Sequence, residues 1–472
     1  CILCHTPQTT DPDTGNTVDM VVMTHKIHMG ANLPSVKAGG SYQIIGFNQG
    51  VSDWSTVGLP TDPGNCQVCH EQTTGAAQAK AYLTPSRTAC GACHDDVNFA
   101  TGANHVSLPQ VSDASCGNCH IPQGDLPLDA SILGAHINRS NGGPINPGMT
   151  SSIPGMVFGN LQVKNGTAGS KPTITFTLKD SAGNPIALAD LKTSPGRLAA
   201  VLAGPTTDYG YTNFGSDVTT GGYVSEDVVA GGSCDASGNC QFTFTHAIPS
   251  TAKGTFAIGL EGRRGLTLLP GTKVALTTEY GAKNLVSYFA VDGSKLAAWR
   301  TVVDIAKCNQ CHTMLSLHGT NRNQIEMCVL CHNASETDVA RRPTATNADD
   351  KNTPAQSVQF AYMIHRIHTG EQLNEMGAGY TVVGFGGSHN DFTEVRYPAF
   401  SPAGAVGDRR ACDMCHVNGS EQTLPQTANA VKIPQGLVNP LPPITAACTG
   451  CHADISSLGH AVNNTAAIGG KS

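Results

Sequence analysis

Sixteen of the 18 cysteines in this 472-residue chain stand in pairs with two residues between them, and a histidine directly follows each pair. The eight Cys-x-x-Cys-His motifs occupy residues 1–5, 66–70, 90–94, 116–120, 308–312, 328–332, 412–416 and 448–452. Two thiols at this spacing can form thioethers with the vinyl groups of one porphyrin, and the adjacent histidine then ligates the iron. A lone Cys-x-x-Cys is equally compatible with zinc or dithiol chemistry. Eight copies, each with its histidine, instead predict eight covalently attached c-type haems.

The motifs name the residues that would carry these haems. The predicted thioether cysteines are Cys1, Cys4, Cys66, Cys69, Cys90, Cys93, Cys116, Cys119, Cys308, Cys311, Cys328, Cys331, Cys412, Cys415, Cys448 and Cys451. The predicted proximal iron ligands are His5, His70, His94, His120, His312, His332, His416 and His452.

Ten of the 18 histidines lie outside the eight motifs and are candidates for the second axial ligand of each iron. The predicted distal ligands are His25, His28, His105, His136, His318, His365, His368 and His460. His246 alternates with phenylalanines in a predicted strand and His389 lies in a predicted loop, so both are predicted to be structural. An iron with two histidine ligands keeps no open position for a substrate, which predicts outer-sphere electron transfer.

The elements that position these ligands form an internal repeat. Four motifs lie within residues 1–120 and four within residues 308–452. The matching segments are CILCH at 1 and CVLCH at 328, MTHKIHMG at 23 and MIHRIHTG at 363, SYQIIGF at 41 and GYTVVGF at 379, CQVCH at 66 and CDMCH at 412, and CGACH at 90 and CTGCH at 448. This correspondence indicates two haem modules with one plan, with short helices near the motifs and around the H-[KR]-I-H pairs.

Residues 121–307 contain no haem motif, and apolar side chains alternate there with polar ones. The alternating positions are Ile174, Phe176, Leu178, Phe242, Phe244, Ile248, Phe256, Ile258 and Leu260. Alternation with a period of two residues is typical of half-buried strands. We therefore predict a multidomain fold. A mostly irregular and α-helical haem module at 1–148 and a second one at 299–472 flank an antiparallel all-β domain of split-barrel or Greek-key type at 149–298.

Composition and charge restrict the setting. The net charge is −7 and aromatic residues make up 5% of the chain, so the sequence predicts neither a nucleic-acid surface nor a large protein-only core. Haem attachment takes place on the exported side of a membrane, and we expect an export signal upstream of Cys1. The two remaining cysteines, Cys234 and Cys240, bracket a short turn and are predicted to form a disulfide in that oxidising compartment. The sequence contains no 18-residue apolar run.

Taken together, the motifs resemble the OmcA/MtrC family of outer-membrane decahaem cytochromes. The resemblance rests on CNQCHTMLSLHG at 308, CVLCH at 328, the H-[KR]-I-H pairs, CGACHDDVNFATGANH at 90–105 and TFAIGLEGRR at 255–264. It implies haem domains alternating with split β-barrels, at the surface of a metal-respiring Gram-negative bacterium. It also implies electron transfer from an outer-membrane conduit or other multihaem cytochromes to metal oxides, electrodes or flavins. In some members a cysteine pair is linked to flavin interaction, and Cys234 and Cys240 are similar but more closely spaced.

Alternatives remain for the haem count and for the function. When the two modules are aligned, each lacks one motif that the other has. This predicts a longer ten-haem polypeptide with motifs just before Cys1 and just after Ser472. A true eight-haem chain with divergent ends is the alternative. Haems near both ends of the chain would also suit a cytochrome that polymerises into a filament. A multihaem reductase of nitrogen oxyanions is disfavoured, because such enzymes often carry Cys-x-x-Cys-Lys, which is absent from this sequence.

Overall fold

The computed structural model describes residues 1–70, 79–125, 128–136, 155–207, 222–273, 275–397, 410–422 and 430–465. Its contacts divide the chain into two compact units. Unit 1 comprises Cys1–Pro154, Leu266–Glu279 and Gln310–Met314, and unit 2 comprises Gly155–Gly265, Tyr280–Asn309 and Leu315–Ser472. The predicted domain boundaries after residues 148 and 298 stay a prediction.

The first module contains short helices and one small hairpin. The helices are α1 Met20–Met29, α2 Pro34–Lys37, α3 Arg87–Cys93 and α4 Ile132–Ala135, and the hairpin strands are β1 Gln43–Ile45 and β2 Val51–Asp53. The Asp19 carboxylate caps α1 by accepting hydrogen bonds from the amides of Val21 and Val22, at 3.1 and 3.2 Å. The helix ends at Gly30, where φ is +43° and an added Cβ would lie 2.3 Å from the Val57 carbonyl oxygen. Helix α1 packs on α3, so the H-K-I-H pair lies beside the motif at 90–94.

The central region is antiparallel β structure. Its strands are β3 Val157–Lys164, β4 Thr173–Lys179, β5 Arg197–Ala203, β6 Tyr223–Asp227, β7 Ser233–Cys234, β8 Asn239–Thr243, β9 Thr255–Leu268, β10 Leu276–Gly281 and β11 Leu285–Ala290, with the one-turn helix α5 Val228–Gly231 between β6 and β7. One sheet has the order β3-β4-β8-β7; in the other the order is β10-β9-β5-β6, and β11 also pairs with β9. The predicted alternating residues Ile174, Phe176, Phe242 and Ile258 all belong to the buried core.

The second module repeats the plan of the first with longer helices. Its elements are α6 Ile305–His312, α7 Ile325–Cys331, α8 Ala348–Asn352, α9 Phe360–Glu375, β12 Thr381–Val383, β13 His389–Asp391, α10 Pro443–Cys451 and α11 Ile455–Asn464. Helix α9 packs on α10, as α1 does on α3. The hairpins share one register, because Gln43 pairs with Asp53 and Thr381 pairs with Asp391. The predicted fold class of helical haem modules around antiparallel sheets is confirmed.

Two local predictions were wrong. Strand β8 ends at Thr243, so His246 lies beyond the strand rather than in it. His389 begins β13 rather than lying in a loop. Within the described ranges, no helix combines the length and the apolar character that a membrane crossing requires.

Candidate haem-binding sites

Each motif folds into a tight helical turn. The histidine amide donates to the carbonyl of the first cysteine of its motif at 2.9 to 3.0 Å in seven motifs, those that begin at Cys1, Cys66, Cys90, Cys116, Cys328, Cys412 and Cys448. The eighth motif lies at the end of α6. This four-residue turn brings the first thiol close to the imidazole, with the second thiol between them along the chain. The backbone therefore presents the three groups that a covalently attached porphyrin requires.

Five motif histidines face a predicted distal histidine. The ring centroids are 6.2 Å apart for His70 and His25, 6.2 Å for His94 and His136, 6.1 Å for His120 and His105, 6.0 Å for His332 and His318, and 6.3 Å for His416 and His365. A metal ion between two imidazoles forms a bond of about 2 Å to each, and each bonded nitrogen lies about 1 Å from its ring centre. The two ring centroids are then about 6 Å apart. Each pair is therefore spaced to accept one iron between its rings.

The other predicted ligands lie outside these five pairs. They are the proximal candidates His5, His312 and His452 and the distal candidates His28, His368 and His460. His5 and His28 nevertheless share a feature with the paired rings, since the Nδ1 of each contacts a backbone carbonyl at 2.8 Å. Their role as iron ligands stays a prediction.

Backbone carbonyls fix the ring orientation of many of these histidines. Nδ1 lies 2.7 Å from the Val358 oxygen in His332 and 2.8 Å from the Ala130 oxygen in His120. The same contact is made by the distal candidates His105, His136 and His368 at 2.9, 2.6 and 2.9 Å. Because a carbonyl only accepts, Nδ1 must carry the proton, which leaves the Nε2 lone pair free for a metal.

Burial keeps several of the candidate ligand imidazoles neutral. It lowers the pKa of His318 and of His365 to about 4, because a low-dielectric surrounding disfavours the charged ring. Burial is also the largest cause of the lowered pKa of His25, His94, His332, His368 and His416. Neutral imidazole is the form that binds iron, so these rings need lose no proton at neutral pH.

His246 and His389 are tied to carboxylates. Nδ1 of His246 lies 2.7 Å from Glu226 Oε1, and Nδ1 of His389 lies 2.7 Å from Asp350 Oδ2. Neither belongs to the five pairs of facing rings among the described residues. Their predicted structural role stays a prediction.

A residue of the β region, which sequence reasoning missed, is bonded to the loop that carries His318. The Glu261 carboxylate on β9 is fully buried and bonds to Arg322 at 2.5 and 3.1 Å and to Arg197 at 3.0 and 3.3 Å. Arg322 lies four residues after His318 in the same loop. A charged residue inside the apolar run TFAIGLEG was the available signal, since a buried charge needs a partner.

A buried asparagine network holds the same loop. Asn284 and Asn323 exchange hydrogen bonds, since the amide of each donates to the side-chain oxygen of the other at 3.1 and 2.8 Å. Asn284 Nδ2 donates to the Asn321 carbonyl at 2.7 Å, and Asn321 Nδ2 donates to the His318 carbonyl at 2.9 Å. The loop that carries the distal ring is thus bonded to the end of the β sheet.

The cysteines outside the motifs form a disulfide. Cys234 on β7 and Cys240 on β8 are directly opposite in the antiparallel register, and their sulfurs are bonded at 1.98 Å. Asp235 closes the turn between them by accepting hydrogen bonds from the amides of Ser237 and Asn239, at 2.8 and 2.9 Å.

Comparison with known proteins identifies the family to which a chain with these motifs belongs. The family model described as outer membrane cytochrome MtrC/MtrF-like, domains II/IV, matches residues 1–130 and 300–471, the two stretches that hold all eight motifs. The chain belongs to this family. The resemblance predicted from the motifs is thereby confirmed, and the MtrC/MtrF-like family is one of multihaem c-type cytochromes.

Individual relatives agree with the family assignment. The multiheme cytochrome MtrC of Shewanella baltica (strain OS185) is 23% identical over 501 aligned positions, which cover 93% of this chain and 64% of that protein. The crystal structure of the outer membrane decaheme cytochrome OmcA matches with a TM-score of 0.62 at 19% identity, covering 97% of this chain and 64% of that one. The crystal structure of MtrC from Shewanella baltica OS185 matches with a TM-score of 0.55 at 18% identity, covering 99% and 66%. These structures share the fold, and the chain spans 64% of the length of the first relative of each kind.

Proposed function

We propose that the chain binds c-type haem at its eight motifs and passes electrons from haem to haem, in a pathway that leads out of the cell. The five facing histidine pairs carry the proposal, because each joins a motif histidine to a distal histidine at the separation that suits one iron. Haem supplies a ferric–ferrous couple when bound. At each of the five pairs the motif histidine and the distal histidine would hold one haem iron from both sides, which would leave no iron position for a substrate.

The family supports a proposal for the setting. Outer-membrane relatives support a location at the bacterial surface. Other multihaem cytochromes would be the electron donors, and metal oxides, electrodes or flavins the acceptors. The net charge of −7 repels acidic surfaces and attracts basic ones, so we expect contacts with basic surfaces or positively charged oxides to weaken as ionic strength rises.

Electron paramagnetic resonance of the oxidised, haem-loaded chain tests this function. We expect low-spin ferric signals from the five paired haems. His365→Ala should convert one haem to a high-spin signal, because His416 would lose its facing ring. His246→Ala is the matched control, since that ring contacts Glu226 rather than a motif histidine. A spectrum that is unchanged in His365→Ala would refute the assigned pair, and a high-spin majority in the unmodified chain would refute bis-histidine electron transfer.

A further inference from the structure

A buried ion cluster lies beside the loop that carries His318. It consists of the Glu261 carboxylate on β9 and the guanidinium groups of Arg322 and Arg197, which bond to it at 2.5 and 3.0 Å. Two backbone hydrogen bonds close the loop, since the amide of Leu317 donates to the Arg322 carbonyl at 2.9 Å and the amide of Arg322 donates to the Leu317 carbonyl at 3.2 Å. Because Leu317 directly precedes His318, these bonds hold the backbone of Arg322 next to that of the distal histidine.

The positive charge of Arg322 reaches every protein group that would hold a haem at this site. Burial is the largest cause of the lowered pKa of His318 and of His332, and the charge of Arg322 lowers both pKa values further. Burial also raises the pKa of the Cys328 and Cys331 thiols to about 12, and Arg322 opposes that effect at both. These two imidazoles and two thiols are the complete set with which the chain would bind one c-type haem. The set is therefore assembled within electrostatic reach of one cation.

Other charged side chains act on parts of the same ligand set. Arg197 and Glu261 affect the distal ring, and their effects have opposite signs. The carboxylates of Glu326 and Glu336 affect the motif thiols. The effect of Arg322 is common to both imidazoles and both thiols. Arg322 is therefore the side chain whose replacement changes the electrostatic surroundings of the whole set.

We propose that Arg322 raises the reduction potential of the haem held between His318 and His332 above the value that a neutral residue at this position would give, and that Glu261 limits the effect. The inference rests on the proposed function. Reduction of the ferric iron adds one electron and so removes one positive charge from the site. A nearby cation with little access to solvent favours the reduced form, and a nearby carboxylate favours the oxidised form. Arg322 would act through space, as a tuning residue rather than as a ligand.

Spectroelectrochemical titration of the full, haem-loaded chain tests the proposal with two opposite changes of charge. Arg322→Gln should move about one haem's share of the absorbance change, one in eight, to lower potential, and Glu261→Gln should move the same share to higher potential. Both variants break the same buried ion pair and expose the same haem to solvent. A merely structural role of the pair therefore predicts shifts in one direction, whereas control by charge predicts shifts of opposite sign.

Three further variants separate charge from geometry and identify the haem. Arg322→Lys keeps the positive charge without the paired hydrogen bonds and should leave the share near its original potential. Arg197→Gln removes a charge on a side chain that is 43% exposed, so it should give a smaller downward shift than Arg322→Gln. His318→Met should move the same share to higher potential, because methionine ligation raises the potential of haem iron.

Shifts of the same sign in Arg322→Gln and Glu261→Gln, or no shift in either, would overturn the proposal. A shift in Arg322→Lys as large as that in Arg322→Gln would also overturn it, as would movement of a share other than the one that His318→Met moves. Electron paramagnetic resonance separates these outcomes from failure of the proposed function. A high-spin majority in the unmodified chain would refute that function, whereas low-spin signals throughout, with shifts of one sign, would refute the role of Arg322 alone.

Discussion

Replacement of Glu261 by glutamine should loosen the contact between β9 and the loop that carries His318. The carboxylate is fully buried and bonds to Arg322, whose side chain is 19% exposed, and to Arg197, whose side chain is 43% exposed. Loss of one partner of a buried ion pair costs about 3–5 kcal/mol. We expect about 3 kcal/mol here, because glutamine can still accept one hydrogen bond from the remaining guanidinium groups.

Hydrogen exchange measures this change locally, which matters because a multidomain cofactor protein need not unfold in one step. At 1.4 kcal/mol for each factor of ten, about 3 kcal/mol corresponds to amides of β9 and of residues 315–324 exchanging more than about 100-fold faster. Arg322→Gln should have a similar effect. Arg197→Gln is the matched control and should cost no more than about 1 kcal/mol, because that guanidinium is partly solvated.

The same site gives the exchange a defined pH dependence. Burial alone would raise the pKa of Glu261, but the hydrogen bonds and charges of Arg322 and Arg197 outweigh burial and hold the pKa below its ordinary value. A lowered pKa means stability that is present above the ordinary value of about 4.3 and is lost as the pH falls through the folded value. Protection of β9 should therefore fall below about pH 4 in the wild type and less so in Glu261→Gln. Equal exchange in both proteins, or a larger effect of Arg197→Gln than of Arg322→Gln, would refute this reasoning.

Three further predictions concern the β region. Gly259→Ala should destabilise the chain by about 1–3 kcal/mol in a denaturant titration, because the new Cβ would lie 2.4 Å from Met327 Sδ, and a combined Met327→Ala change should recover part of the loss. Asn284→Ala should leave the buried Asn323 amide without its acceptor and cost about 1–3 kcal/mol, which faster exchange of that amide would report. Cys234 and Cys240 should take up alkylating reagent only after reduction, and the short loop should make the bond worth about 2 kcal/mol, so a thiol that labels in unreduced protein would contradict the bond.

The repeat made the candidate distal histidines recognisable from sequence, but not which motif histidine each of them faces. A match between His25 and His365, and between the motifs at 66 and 412, predicts that both distal rings serve equivalent haems. The facing rings lie 6.2 Å apart in the first module and 6.3 Å apart in the second. Sequence spacing identifies the motifs and the repeated histidines, whereas the pairing of His25 with His70 and of His365 with His416 depends on the tertiary fold.

Long-range polar contacts were beyond that approach. Asp11 and Asp338 each follow the first cysteine of equivalent motifs by ten residues, and each accepts an amide hydrogen bond from the same hairpin position, Ile45 at 2.8 Å and Val383 at 2.9 Å. The sequence around either aspartate does not indicate that its hydrogen-bond partner lies more than thirty residues away. The repeat does present both aspartates at matching positions, so comparison of the modules for polar residues as well as histidines would have found them.

The burial of strand β9 was underestimated for a different reason. Period-two alternation predicted one buried face through Phe256, Ile258 and Leu260, whereas residues 255–262 are buried on both faces. The second face is covered because Ala257 and its neighbours on β5 pack against helix α7, which carries the motif at 328–332. In a strand that is buried on both faces, the residues alternate in side-chain size rather than in polarity.

This double burial connects β9 to both rings of the His318–His332 pair. His332 directly follows helix α7, which rests on β9 at Gly259, where the absence of a side chain permits the close approach of Met327. The loop with the distal His318 is bonded to the same strand two residues further on, through Glu261 and Arg322. Both rings of the His318–His332 pair are therefore attached to a single strand whose other face is fixed in the core, so displacement of that strand should move the two rings together rather than apart. We therefore expect substitutions in β9 to alter the low-spin signal of a haem bound between His318 and His332.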